Sequence, residues 1–158
     1  MKLYDLEISD PLAQHKHFIA RAEMRDFFAP DDREGFRDWI SELVDRLDMN
    51  LLDGPHVVYV DRPGLRGWTG ICIIETSHIA IHIWDEKDSI LAQIDVYTCG
   101  DMDTTVILDM LDQFYPNSID FVVLDREFAI DEIESMRYVY TNNEEDDEPE
   151  LFDDEDDN

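Results

Sequence analysis

In the stretch "DDREGFRDWISELVDRLDM" the apolar residues fall at helical spacing, placing Phe36, Trp39, Ile40, Leu43, Val44 and Leu47 on one stripe. Asp31 and Asp32, following Pro30, supply an N-terminal cap and a partner for the helix dipole. The spacing predicts an amphipathic helix. Downstream the pattern changes to the β-rich runs "HVVYVD", "WTGICIIET", "HIAIHIWD" and "ILAQIDVYT", separated by "RPGLRG", a Thr-Ser junction and "EKDS". Their order predicts a meander of antiparallel strands. Before the helix, "HFIARAEM" reads as a strand; after the meander, "TTVILDMLDQFY" has helical spacing through Val106, Leu108 or Met110, and Leu111, ending ahead of Pro116. "SIDFVVLDREF" predicts a further strand and "MRYVYT" a short last one. The expected fold class is α+β: an antiparallel β-sheet with helices packed on one face. One domain is expected over 1–142.

Alternation within the meander distinguishes the two faces of that sheet. Ile79, Ile81 and Ile83 point one way, the face a helix layer would cover, while His78, Ala80, His82 and Trp84 point the other. The next strand repeats this, with Ala92, Ile94 and Val96 opposite Leu91, Gln93, Asp95 and Tyr97. Two neighbouring strands with one apolar and one mixed face predict that the second face is a site or an interface.

Charge changes the picture at the C-terminus. The formal charge is −28, and "EEDDEPELFDDEDDN" alone supplies eleven of the forty acids. That tail, 143–158, has too few apolar groups to offset the entropy of ordering and is expected to be disordered. Such a field repels phosphate backbones and anionic lipid, so neither nucleic acid nor membrane is an expected partner, although a mimic of nucleic acid stays open. Cys72 and Cys99 make neither a metal-spaced set nor a disulfide framework. With no apolar run of signal-peptide or membrane-span length, the expected location is the cytoplasm.

Taken singly, the candidate chemical groups have ordinary readings. His78 and His82 would suggest zinc on a helix, but on a strand they stand about 13 Å apart and lack a third ligand. No metal is expected. Ser77 reads as a turn hydroxyl and Cys72, between two isoleucines, as a small buried hydrophobe. Cys99 differs, since a cysteine at a strand end before glycine can be exposed and tuned.

Together, "GWTGICIIETSHIAIHIWDE" and "DVYTCG" resemble the prokaryotic S-adenosylmethionine decarboxylase proenzymes. Gly67, Gly70, Ser77, His78, His82, Trp84, Glu86 and the Thr98-Cys99-Gly100 triplet follow that family's order, with its spacing kept from Gly67 through Glu86. The resemblance implies a self-processing carboxy-lyase that supplies the aminopropyl donor for spermidine synthesis. Cleavage falls between Thr76 and Ser77, giving a β chain 1–76 and an α chain 77–158, with a pyruvoyl cofactor generated from Ser77. By the same resemblance, His82 is the processing histidine and Cys99 the acid that protonates the product carbon. Glu86 contacts the substrate ribose, the pyruvoyl ketone forms a Schiff base with the substrate amine, and the processed units form a homodimer.

Several positions depart from that pattern. Thr76 stands for the usual glutamate, Asp85 for proline, and two extra residues separate Ser77 from the cysteine. The loop "DRPGLRG" lacks the family's adenine-stacking aromatic, leaving Tyr59, Trp68 or Trp84, of which Trp84 joins Glu86 as the substrate-binding candidate. Arg21 replaces an acid in the first strand, and a guanidinium can hold a carboxylate bidentately. The alternatives are therefore a pyruvoyl-dependent decarboxylase of arginine or ornithine, or an unprocessed, non-enzymatic acidic partner protein.

Overall fold

Each run becomes an element of the computed structural model, which describes residues 14–140. In chain order these are β1 (Lys16–Met24), α1 (Arg33–Arg46), β2 (Leu51–Val60), β3 (Gly67–Ile74), β4 (Ser77–Trp84), β5 (Ile90–Thr98), α2 (Thr104–Asp112), β6 (Pro116–Asp125) and β7 (Asp131–Val139). The seven strands form one sheet in the order β2-β3-β4-β5-β1-β6-β7. Every pairing is antiparallel. The architecture is α+β, as the pattern predicts, and the expected tail lies outside the described residues.

Local chemistry accounts for the element ends. Asp32 caps α1 by accepting the Gly35 amide at 2.9 Å, and Asp103 caps α2 by accepting the Thr105 amide at 3.0 Å. Pro116 is the first residue of β6, a position where the missing amide is tolerated. The turn between β3 and β4 has only two residues, Glu75 and Thr76, which fixes the register of that hairpin.

The helix stripe meets the predicted sheet face. Phe36, Ile40, Leu43 and Val44 are fully buried with Phe18, Ile79, Ile81, Ile94 and Val96 in one core. Cys72 belongs to this core, and burial pushes its thiol up to about 11. Trp68 does too: it is buried and its indole N–H donates to the Phe28 carbonyl at 3.2 Å. It is therefore not available as a stacking platform.

The two glycines of "GWTG" are structural. A side chain on Gly67, at φ +146°, would overlap the Ile83 carbonyl, whereas one on Gly70 would come within 2.6 Å of the Ile40 Cδ1 tip and 2.8 Å of the Phe36 ring. Gly67→Ala is expected to lower the unfolding free energy by about 3 kcal/mol or more, and Gly70→Ala by less, because side-chain tips yield more readily than backbone. Denaturant unfolding of both variants checks the order, and an unaffected Gly67→Ala would refute it.

The opposite sheet face has no helix against it among the described residues. It carries His17, Arg21, His78, His82, Asp95 and Tyr97, together with Val58, Ile71 and Ile73 at 54, 46 and 50% exposure. Half-exposed β-branched residues side by side on a pleated surface make an apolar patch of the kind found at interfaces.

Candidate active site

Ser77 opens β4 immediately after the two-residue turn, paired with Ile74 on one side and Thr98 on the other. Its φ is +148°, whereas neither Glu75 nor Thr76 has a positive φ. A tight hairpin needs unusual backbone angles, and here a residue with a Cβ adopts one, at a cost of about 1–3 kcal/mol. The strain sits at the predicted cleavage point.

The end of β5 is folded against the same bond. The Cys99 amide donates to the Thr76 carbonyl at 2.9 Å, which polarises the carbonyl that Ser77 Oγ would attack. Thr98 is completely buried, and its hydroxyl accepts the Gly100 amide at 2.9 Å, so the Thr-Cys-Gly turn has a defined shape. Gly100 lies so near that a Cβ there would be 3.3 Å from the Thr76 methyl. Lys16 holds the next residue, Asp101, at 3.1 Å; the lysine's hydrogen bond is the main cause that lowers the Asp101 carboxyl below its ordinary value, with the Met102 amide adding to it. Cys99 is half-buried at the junction, and Thr76 Oγ1 is buried without a hydrogen-bond partner among the described residues.

His82 lies elsewhere. Five residues along β4, it is about 16 Å from Ser77 at the ordinary strand rise. Its Nδ1 is 3.1 Å from the Thr69 hydroxyl, and its ring centroid is 6.1 Å from that of Trp84. Glu86 accepts the Gly64 amide at 2.8 Å, fixing its carboxylate against the β2–β3 loop. Asp85 uses both of its polar groups: its amide donates to the Arg66 carbonyl at 3.2 Å, a bond proline could not make, and its carboxylate accepts from Tyr59 OH at 3.1 Å. Burial and then Asp85 raise the Tyr59 phenol above its ordinary value. Tyr59 packs on the core residue Trp68, with ring centroids 5.2 Å apart, so that of the three aromatics Tyr59, Trp68 and Trp84 it is Trp84 that stands on the mixed face.

One chain thus brings Ser77, Thr76 and Cys99 together and places His82, Trp84 and Glu86 in a second group at the other end of β4. Thr69 escaped the sequence reading, although the two-residue turn sets it opposite His82. Counting outward from a short hairpin would have found it.

An antiparallel sheet backed by two helices, with a serine at positive φ after a two-residue hairpin turn and the Cys99 amide on the carbonyl before it, defines a two-layer α+β domain. The chain belongs to the S-adenosylmethionine decarboxylase family, whose model matches residues 16–127. A relative named S-adenosylmethionine decarboxylase proenzyme, from Archaeoglobus fulgidus, is 32% identical over 95 residues, covering 59% of this chain and 80% of its own. Another of that name, from Persephonella marina, is 42% identical over 62 residues, which is 38% of this chain and 45% of its own. The crystal structure of the adenosylmethionine decarboxylase from Aquifex aeolicus superposes with a TM-score of 0.59 at 30% identity, covering 79% of this chain and 98% of that one. The match to the family ends before β7.

Proposed function

We propose that the chain is a self-processing decarboxylase of S-adenosylmethionine, cut between Thr76 and Ser77 into a β chain 1–76 and an α chain 77–158. The observation that carries this reading is the Cys99 amide on the Thr76 carbonyl, 2.9 Å away, beside a serine at φ +148°. Ser77 Oγ attacks the Thr76 carbonyl carbon, the Cys99 amide holds the developing oxyanion, and the peptide C–N bond breaks as its nitrogen gains a proton, leaving an ester. Loss of the Ser77 α-proton expels the Thr76 carboxylate. Hydrolysis of the remaining dehydroalanine then releases ammonia and leaves a pyruvoyl group. Relief of backbone strain favours the first step.

The group supplies an electron sink for loss of carbon dioxide, and the chain's residues do the rest. The Cys99 thiol, at the same junction, gives a proton to the product carbon. Trp84 stacks the base and Glu86 accepts from the ribose hydroxyls. Arg21, whose guanidinium suggested an amino-acid substrate, is already engaged by Glu23 at 2.7 Å, which favours S-adenosylmethionine over arginine or ornithine.

A second copy completes the site. Packed face to face about a two-fold axis with its strands antiparallel to these, a partner lays its His82 end over the Ser77 end of β4 across the ordinary sheet spacing of about 10 Å. The same contact covers Val58, Ile71 and Ile73. His82, oriented by Thr69, then moves protons at the partner's Ser77, and Trp84 and Glu86 arrive with it. Co-expression tests this arrangement. Ser77→Ala and His82→Ala chains each stay uncut alone, whereas together the His82→Ala chain is expected to be cleaved, because its own serine meets the other chain's histidine. Intact-mass measurement reads the result, and an uncut mixture would sink the shared site. Release of labelled carbon dioxide from carboxyl-labelled S-adenosylmethionine by the wild-type protein tests the activity itself.

A further inference from the structure

Asp95 lies on the mixed face of β5 and is shared by two imidazoles. His78 Nε2 is 3.2 Å from Asp95 Oδ1, while His17 Nε2 is 2.9 Å from the same oxygen without the alignment of a hydrogen bond. Arg126 donates to His17 Nδ1 at 3.2 Å, and its guanidinium stands 4.4 Å from the centre of the Tyr97 ring. Tyr97 OH in turn lies 2.9 Å from His15 Nδ1. The register explains the grouping: His78 and His17 both pair with Tyr97, from β4 and β1, and Asp95 is diagonal to each.

The bonding also fixes the donors. A carboxylate only accepts, so His78 carries its proton on Nε2; an arginine only donates, so His17 accepts at Nδ1. A chain of side chains therefore runs from His78, the second residue after the cleavage point, through Asp95, to the strand on the far side of β5. None of these contacts is used in the chemistry above.

We infer that Asp95, through His78, is a positioning residue for maturation: it ties the residue that follows Ser77 across to β5 and β1 and so holds Ser77 in its strained conformation. A non-glycine residue keeps a positive φ only when its surroundings over-determine it. The turn side is held by the Cys99 amide, and the β4 side by the ladder and by this strut. The His78 and Asp95 side chains are 43 and 40% exposed in the single chain and neither belongs to its buried core, so the pair can be altered in a folded protein.

This inference rests on the proposed cleavage at Ser77, and its test separates the two. The rate at which fragments appear is measured by intact mass for wild type, Asp95→Asn, Asp95→Ala and His78→Gln, alongside thermal unfolding midpoints and kcat per pyruvoyl group in the matured fraction. Each variant is expected to mature about tenfold or more slowly, with kcat per pyruvoyl group unchanged and the midpoint preserved, and the Asp95→Asn/His78→Gln double variant no slower than the singles, since they act as one unit. Maturation at the wild-type rate in both Asp95 variants overturns the strut while leaving the proposed function intact. Slowing that tracks a lowered midpoint or a lost kcat overturns it as well. A wild-type chain that never splits removes the proposed function, and the strut with it.

Discussion

Ser77→Ala is expected to leave one uncut chain with no decarboxylation of S-adenosylmethionine, the largest effect of any single change. No other hydroxyl takes its place: Thr76 Oγ1 is buried, and the Thr98 hydroxyl is occupied by the Gly100 amide. The fold should survive, because the serine's neighbours are held by backbone pairing with Ile74 and Thr98. Alanine keeps a Cβ and hence the strain at φ +148°. Ser77→Gly removes both the nucleophile and the strain, and should unfold with a free energy higher than that of Ser77→Ala by about 1 kcal/mol. Intact mass and denaturant unfolding of the two variants suffice. Cleavage of Ser77→Ala would move the reactive junction elsewhere, and a glycine variant less stable than the alanine variant would deny the strain.

Cys99 should separate two reactions that share one residue. Cys99→Ala keeps the backbone amide on the Thr76 carbonyl, so the chain is expected to mature, but with no thiol to protonate the product carbon its kcat should fall by about 10²–10⁴. Cys99→Pro removes the amide hydrogen instead and should fail to mature, since one oxyanion donor accounts for about 10²–10³ in rate. Fragment formation and carbon dioxide release, measured on both variants, distinguish the roles. A Cys99→Ala chain that matures and turns over at the wild-type rate would end the thiol's assignment as the acid. A proline variant that is folded and still splits promptly would end the amide's.

The parts of the fold that were legible in the sequence are those written in short-range periodicity. The α1 stripe, the isoleucine face of β4 and its echo at Ala92, Ile94 and Val96 all pack as their spacing demands. The insertion of β1 between β5 and β6 was not legible, because pairing between strands some seventy to a hundred residues apart leaves no trace in a local pattern. β7 runs five residues further upstream than "MRYVYT" suggests; all nine of its residues are exposed, so no core contact marks its start. At the site, the motif order singled out Ser77 and Cys99, and the fold brings the Cys99 amide onto the carbonyl that precedes Ser77. That His82 stands far along the same strand follows from the strand rise, yet nothing in a single chain says what closes the gap. Asp95 was visible only as a polar residue on the mixed face, since its partners come from two other strands.

Strand order has one more consequence. A cut before Ser77 assigns β1, β2 and β3 to one piece and β4 to β7 to the other, but in the sheet β1 is flanked on both sides by strands of the second piece. The two pieces are interleaved like clasped fingers, not set side by side, so neither can leave without dismantling the other's sheet. A protein cut there is therefore expected to melt as a unit, as the uncut chain does. Its return is different in kind: two separate chains must find each other again, at a rate set by their concentration, and the peptide bond that once made folding unimolecular is gone.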